Sequence, residues 1–252
     1  NNNINDDADM KSLTFGYTHN MSENTVTNKK SDVLLVIPAY NEADSIERVV
    51  DELTEKYPEL DYVVVTDGST DGTDVICRRR GYNALNLPIN LGLTGCFHNG
   101  MIYAWEKGYK YAVQFDGDGQ HRPEYIDAMR KKAEEGYDIV MGSRFIGLEN
   151  KMGGMRNIGS KLIRAAIRFK TGAVVTDPTC GLRMYDRRII KMFAKLSYLS
   201  PEPDTIAALI KHGARVAEVP VKVAEREAGT SYLNPVNAAK YMKRMLSAIM
   251  SI

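Results

Sequence analysis

The chain has 252 residues, 44% of them hydrophobic, enough for one large α/β domain. Its 33 Lys and Arg balance 32 Asp and Glu, so the net charge of +1 offers nucleic acid no global attraction and any anionic ligand must be met locally. Three widely spaced cysteines, Cys77, Cys96 and Cys180, form no CxxC pair, which excludes a disulfide framework or zinc site and suits a reducing cytosol.

Residues 1–31 read as a polar N-terminal extension without the apolar centre of a signal peptide. From Asp32 the run DVLLVIP predicts a strand covered on both faces. A helix follows, with Ile46, Val49, Val50 and Leu53 at helical spacing behind an Asp44/Glu47 capping pair. DYVVVTD is a second strand that ends in a Gly-Ser-Thr turn, and GYNALNLP holds a short third. Phe97, Met101, Ala104 and Trp105 mark the inner face of the next helix, before the strand KYAVQFD, a helix from about Pro123, and the strand YDIVMG. Residues 156–171 predict a basic amphipathic helix, DPTCGLRMYD a turn, SPEPDTIAALIKHG a helix and RVAEVPVKV a strand. The last helix carries an apolar stripe of Tyr241, Met242, Met245, Leu246, Ile249 and Met250.

Short alternating strands and helices imply a largely parallel sheet with its ligand beyond the carboxyl ends of the strands. The polar clusters fall there: PAYNE, DGSTDGT, DGDGQH and GSRF each follow a strand. In DGDGQH, Asp116 and Asp118 stand one residue apart and repel each other unless a cation lies between them. Hard Mg2+ or Mn2+ takes carboxylate and carbonyl oxygens, and Gln120 supplies one more such oxygen. The competing reading is an Asp-Gly turn with solvated carboxylates. Asp67 and Asp71 bracket a turn that serves either nucleotide recognition, by accepting a base N–H, or simple helix capping. Cys96, Cys180, His98 and His212 read as packing or structural residues.

Together, IPAYNEADSI, VVVTDGSTDGT, NLGLTGCFHNGMIYA, FDGDGQHRPEYI, GSRF, DPTCGLRMYDRR, PEPD and EVPVKVAEREAGTSY resemble the inverting family 2 glycosyltransferases, and most of all their dolichol- or polyprenyl-phosphate branch. The likeness runs from about residue 32 to about residue 245. It implies a GT-A (Rossmann-like) α/β fold, a UDP- or GDP-sugar donor, a Mg2+ or Mn2+ ion and a polyprenyl phosphate acceptor. By position, Pro38, Ala39, Tyr40 and Glu42 would line the nucleotide pocket with Asp67 at the base. Asp116 and Gly117 would adjoin the ribose and metal, and Asp118 and Gln120 would hold the ion. Arg144 and Arg183 would be available to phosphate or sugar, and Arg226 and Ser231 to the diphosphate. The resemblance puts the catalytic carboxylate at Glu202 or Asp204, with Asp204 preferred; helix capping is the alternative. Gly117 stands where the family more usually has alanine, and Thr94 interrupts a commonly glycine-rich loop.

The implied organisation is a GT-A domain over 32–231 followed by an amphipathic helix over 232–252 that contacts membrane or a partner. No apolar run reaches the roughly 20 residues of a membrane span. Polyprenyl phosphate would therefore be met at the inner face of the cell membrane through the basic helix, the apolar stripe, a membrane-embedded partner or a homo-oligomer. Two other functions fit the motifs: extension of a surface polysaccharide or lipid-linked glycan, and a catalytically silent nucleotide-sugar-binding partner of a membrane protein.

Overall fold

The computed structural model describes residues 29–116, 122–147, 154–222 and 235–252, with the backbone alone for 154–158 and 235–237. Strand β1, Val33–Ala39, runs through the interior and is almost wholly buried, as its unbroken apolar run requires. Helix α1 spans Ile46–Lys56 and buries Ile46, Val49, Val50 and Leu53. Its N-cap is Ser45, whose hydroxyl donates to the Glu42 carboxylate at 2.6 Å, so the expected Asp44/Glu47 pair does not form the cap. Then follow β2 (Asp61–Asp67), α2 (Thr73–Arg80), β3 (Ala84–Leu87), α3 (Gly92–Glu106) and β4 (Tyr111–Gln114). A 3-10 turn at Pro123–Tyr125 leads into α4, Ile126–Glu134. The second half holds β5 (Ile139–Ser143), α5 (Gly154–Thr171), β6 (Arg183–Asp186), α6 (Arg187–Lys195), α7 (Pro203–Lys211), β7 (Val216–Pro220) and α8 (Pro235–Ser251).

The seven strands form one sheet in the order β3-β2-β1-β4-β6-β5-β7. Only β6 runs antiparallel to its neighbours, pairing with β4 on one side and β5 on the other. The two-residue period of β1 splits the core. Leu34 and Val36 join Phe97, Met101, Tyr185, Phe193 and Ile206 on one face, where α3 and α5 to α8 lie. Leu35 and Ile37 join Val50, Leu53, Cys77 and Met129 on the other, under α1, α2 and α4.

The stretch read as a turn at DPTCGLRMYD contains β6, and α6 follows it directly. Met245 and Ile249 are 1% and 0% exposed within the same core as Ile163 and Ile167. The stripe of α8 from Tyr241 to Ile249 thus packs against the core beside α5 and α7, while Met250 is 47% exposed.

Candidate active site

The carboxyl ends of β1, β2, β4 and β5 share one edge of the sheet, and because β6 is reversed its first residue, Arg183, lies there as well. The loop after β1 is zipped to the loop after β2. Asn41, in the left-handed region at φ 54°, accepts the Thr70 amide on its side chain at 2.9 Å. The amides of Asn41, Glu42 and Ala43 donate in turn to Ser69 Oγ at 3.1 Å, Thr73 Oγ1 at 2.9 Å and Asp71 Oδ2 at 2.9 Å. Burial would raise the Asp71 pKa, but hydrogen bonds from Thr73 and Ala43 outweigh it and hold the carboxyl below its usual range. Asp71 is therefore a brace between the loops. Tyr40, 49% exposed, projects from the braced loop, with Pro38 and Ala39 behind it in β1.

Asp67 closes β2 and is 2% exposed. Its two oxygens accept the amides of Leu91 at 2.6 Å and Gly92 at 2.8 Å, at the entry to α3. The carboxylate thus fixes the start of α3 against the end of β2, and its reach to a base N–H would be shared with those amides. The following Gly68 has φ +61°, and a Cβ there would stand 2.7 Å from the backbone carbon of Ile89, so only glycine allows this approach.

Asp116 lies two residues past the end of β4, partly exposed after the buried Phe115, whose amide donates to Val36 O at 3.0 Å. Gly117, Asp118 and Gln120 of the expected metal loop, and Arg226 and Ser231 of the expected diphosphate end, lie outside the described residues.

Arg144, one residue past β5, forms a two-pronged pair with Asp177: Nε to Oδ2 at 2.6 Å and Nη2 to Oδ1 at 2.8 Å. Nη2 also donates to Thr179 Oγ1 at 3.0 Å. Hydrogen bonding to the Asp177 carboxylate, whose side chain is 0% exposed, raises the Arg144 pKa further. Asp177 is held from behind, because its amide and that of Thr176 donate to the Glu218 carboxylate at 2.8–3.0 Å. Sequence reasoning missed Asp177 and Glu218 as functional residues. The available signals were an Asp-Pro turn and a lone acid inside the otherwise apolar VAEVP.

Arg183 does not stand as expected. It is 2% exposed, and its guanidinium donates to three backbone carbonyls: Nε to Cys180 at 2.9 Å, Nη1 to Pro201 at 2.8 Å and Nη2 to Pro178 at 2.7 Å. It faces the interior, against these carbonyls.

Glu202 caps α7, with Pro203 in the first turn and Asp204 behind it, where the helix dipole favours acids. Glu202 Oε1 accepts from Arg244 of α8 at 3.2 Å. Burial, and then the Glu202 carboxylate, push the Tyr241 phenol of α8 well above its usual pKa. Among the described residues, Asp204 Oδ1 is buried without a hydrogen-bond partner, an unusual state for a carboxylate oxygen, whereas the Glu202 carboxylate has the Tyr241 phenol beside it. The Arg183 bond to Pro201 links this segment to the end of β4, because Gln114 pairs with Arg183 across the sheet. The thiols of Cys96 and Cys180 are buried, which pushes them up to about 12 and about 11, and this fits packing rather than nucleophilic roles.

The chain as a whole has parallels among known proteins. The chain is 28% identical over 221 residues to the polyprenol monophosphomannose synthase of Mycolicibacterium smegmatis, covering 83% of each chain. It is 29% identical over 219 residues to the undecaprenyl-phosphate mannosyltransferase of Micrococcus luteus, covering 80% of this chain and 87% of that one. Its fold is that of the GT-A glycosyltransferases. The glucosyl-3-phosphoglycerate synthase of Mycobacterium tuberculosis, in complex with UDP, superimposes with a TM-score of 0.59 at 17% identity, covering 87% of this chain and 79% of that one. The family model of Glycosyl transferase family 2 matches residues 34–193. The chain belongs to glycosyl transferase family 2 and is a glycosyltransferase.

Proposed function

We propose that this glycosyltransferase moves a sugar from a UDP- or GDP-sugar to a polyprenyl phosphate, with inversion and with a divalent ion. The relatives above carry a polyprenyl or undecaprenyl acceptor in their names, and a fold neighbour was solved with Mn2+ and UDP. The observation that carries the reading is the strand edge itself, to which Asp116, two interlocked loops and a fixed Arg144–Asp177 pair all belong. An acceptor phosphate oxygen attacks the anomeric carbon as the bond to the nucleoside diphosphate breaks; already anionic, it needs little help from a base. Tyr40 and Glu42 would line the nucleotide, and Arg144 would meet phosphate or sugar.

The donors of Asp116, Asp118 and Gln120 are all oxygen, which fits a hard cation. Such an ion would neutralise charge on the departing diphosphate. One observation favours the second reading, extension of a glycan. A hydroxyl acceptor needs a base within reach, and the Asp204 carboxylate, one oxygen of which has no partner among the described residues, would be the acceptor for its proton. A panel of UDP- and GDP-sugars against a short polyprenyl phosphate, the matching polyprenol and a soluble oligosaccharide, scored by nucleoside diphosphate release, tests both. Turnover confined to the phosphate supports the first reading; turnover confined to hydroxyl acceptors overturns it.

Among the described residues no helix is long and apolar enough to cross a membrane. We place the contact with the inner face of the membrane on α5. Its outer face shows Lys161, Leu162, Ala165, Arg168 and Phe169, with Phe169 78% exposed and Leu162 49%. Residues 151–176 contain six Lys and Arg and no acid. Apolar insertion and attraction to anionic lipid then act together. Replacing Leu162 and Phe169 with serine is expected to weaken binding to anionic vesicles by about tenfold or more at low salt, from the transfer energy of the lost side chains. Co-sedimentation checks this, and unchanged binding by the double variant removes α5 from the contact.

A further inference from the structure

We infer that Arg183 and Glu218 are positioning residues that together grip the loop between α5 and β6 and set Asp177, and through it Arg144, at the sheet edge. The inference rests on the glycosyltransferase activity and not on the choice of acceptor. Glu218 accepts the amides of Thr176 and Asp177, while Arg183 donates to the carbonyls of Pro178 and Cys180. Four of the five residues from Thr176 to Cys180 are thus held by their backbone from an acid on β7 and a base on β6. The side chains of Asp177 and Thr179 then meet the Arg144 guanidinium, Asp177 in a two-pronged pair that fixes its plane.

The third Arg183 bond reaches the Pro201 carbonyl, one residue before Glu202. One buried cation therefore ties both acid-bearing segments to the end of β4. Its charge is met by three carbonyl dipoles; none of its hydrogen bonds described here goes to a carboxylate. A cation 2% exposed is costly to bury, so a task that hydrophobic packing cannot perform accounts for its presence better than stability does. The planar fork of arginine can bond three divergent carbonyls at once, and a lysine ammonium cannot reproduce that geometry.

The test is Arg183→Lys, which keeps the charge, beside Glu218→Gln, which keeps the shape of the other grip. Both are measured for kcat, for donor KM, and for UDP and GDP affinity by calorimetry. The expected result is a fall in kcat of ten- to a hundredfold for Arg183→Lys, with nucleotide affinity within about twofold of wild type, because the β1 and β2 loops are braced independently. Glu218→Gln is expected to show the same split to a smaller degree. Wild-type kcat in a folded Arg183→Lys, or an equal loss of nucleotide affinity and kcat, overturns the inference. If Arg183→Lys fails to fold, Glu218→Gln decides alone by the same split. Wild-type protein with no transferase activity on any donor would instead count against the proposed function.

Discussion

Removing divalent cations is expected to lower turnover by about a hundred- to a thousandfold, the rate equivalent of the several kcal/mol that a Lewis acid contributes at a departing phosphate. Asp116 follows directly on the buried end of β4, so its position is fixed by the sheet, and Asp118 is two residues further on. Under the proposed function, Asp116 and a donor diphosphate would concentrate negative charge that a cation relieves. Asp116→Asn and Asp118→Asn should reproduce the loss at saturating donor and weaken Mn2+ binding by calorimetry. The thermal midpoint of the metal-free protein should hardly move, since Asp116 is partly exposed and carries none of the core. Full turnover in excess chelator would remove the metal from the mechanism.

Strands β1, β2 and β4 were legible because they are buried over most of their length, and burial on both faces writes itself as an unbroken apolar run. DYVVVTD is an example, found from Asp61 to Asp67 as its sequence indicates. Helix α2 was not legible: TDVICRRR buries only Thr73 and Cys77 and ends in three arginines, so no apolar stripe marks it. Strand β6 was hidden by brevity, its four residues following a Pro- and Gly-containing turn. Helix α6 did carry its signal, because Asp186 accepts the Ile189 amide at 2.8 Å as a regular N-cap and Ile189, Ile190 and Phe193 recur at helical spacing.

The same limits apply at the site. Motif positions led to one edge of the sheet, where the structure has the ends of β1, β2, β4 and β5 together, since the carboxyl ends of parallel strands converge. Side-chain direction is a different matter. An arginine at the start of a strand has the same letter whether it points at a ligand or at three carbonyls; the reversal of β6 brings Arg183 to this edge, and the carbonyls of Cys180, Pro201 and Pro178 take its side chain inward. The apolar stripe of α8 posed a related ambiguity: amphipathicity identifies a face that must be covered without identifying its cover. Gly159 of α5 explains part of the answer, because a Cβ there would meet the Met242 sulfur at 3.1 Å, so a small residue lets the two helices close together.

Phe97→Ala is expected to destabilise the protein by about 3–5 kcal/mol, more than any other single truncation proposed here. Phe97 of α3, Tyr185 of β6 and Phe193 of α6 are each 0% exposed and form a closed triad. Ring centroids stand 5.6 Å apart for Phe97–Tyr185 and 5.3 Å apart for the other two pairs, with Phe97 edge-on to Phe193 at 89°. Removing one ring forfeits its transfer energy, leaves a cavity among rigid neighbours and breaks two aromatic contacts. Little can move in to fill the space, because His98, next in the chain, is held at 2.8 Å to the Phe193 carbonyl and anchors α3 to α6. For a domain of this size each kcal/mol corresponds to about 2–4 °C, so the melting midpoint should fall on the order of 10 °C, and Phe97→Leu should recover most of it. Tyr185 is two residues from Arg183 on the same strand, so the triad also supports the element that carries the three-carbonyl grip. Well below its lowered midpoint, Phe97→Ala should retain donor affinity and lose kcat only modestly. A midpoint within 2 °C of wild type would show that this face of the core is not closed by the triad.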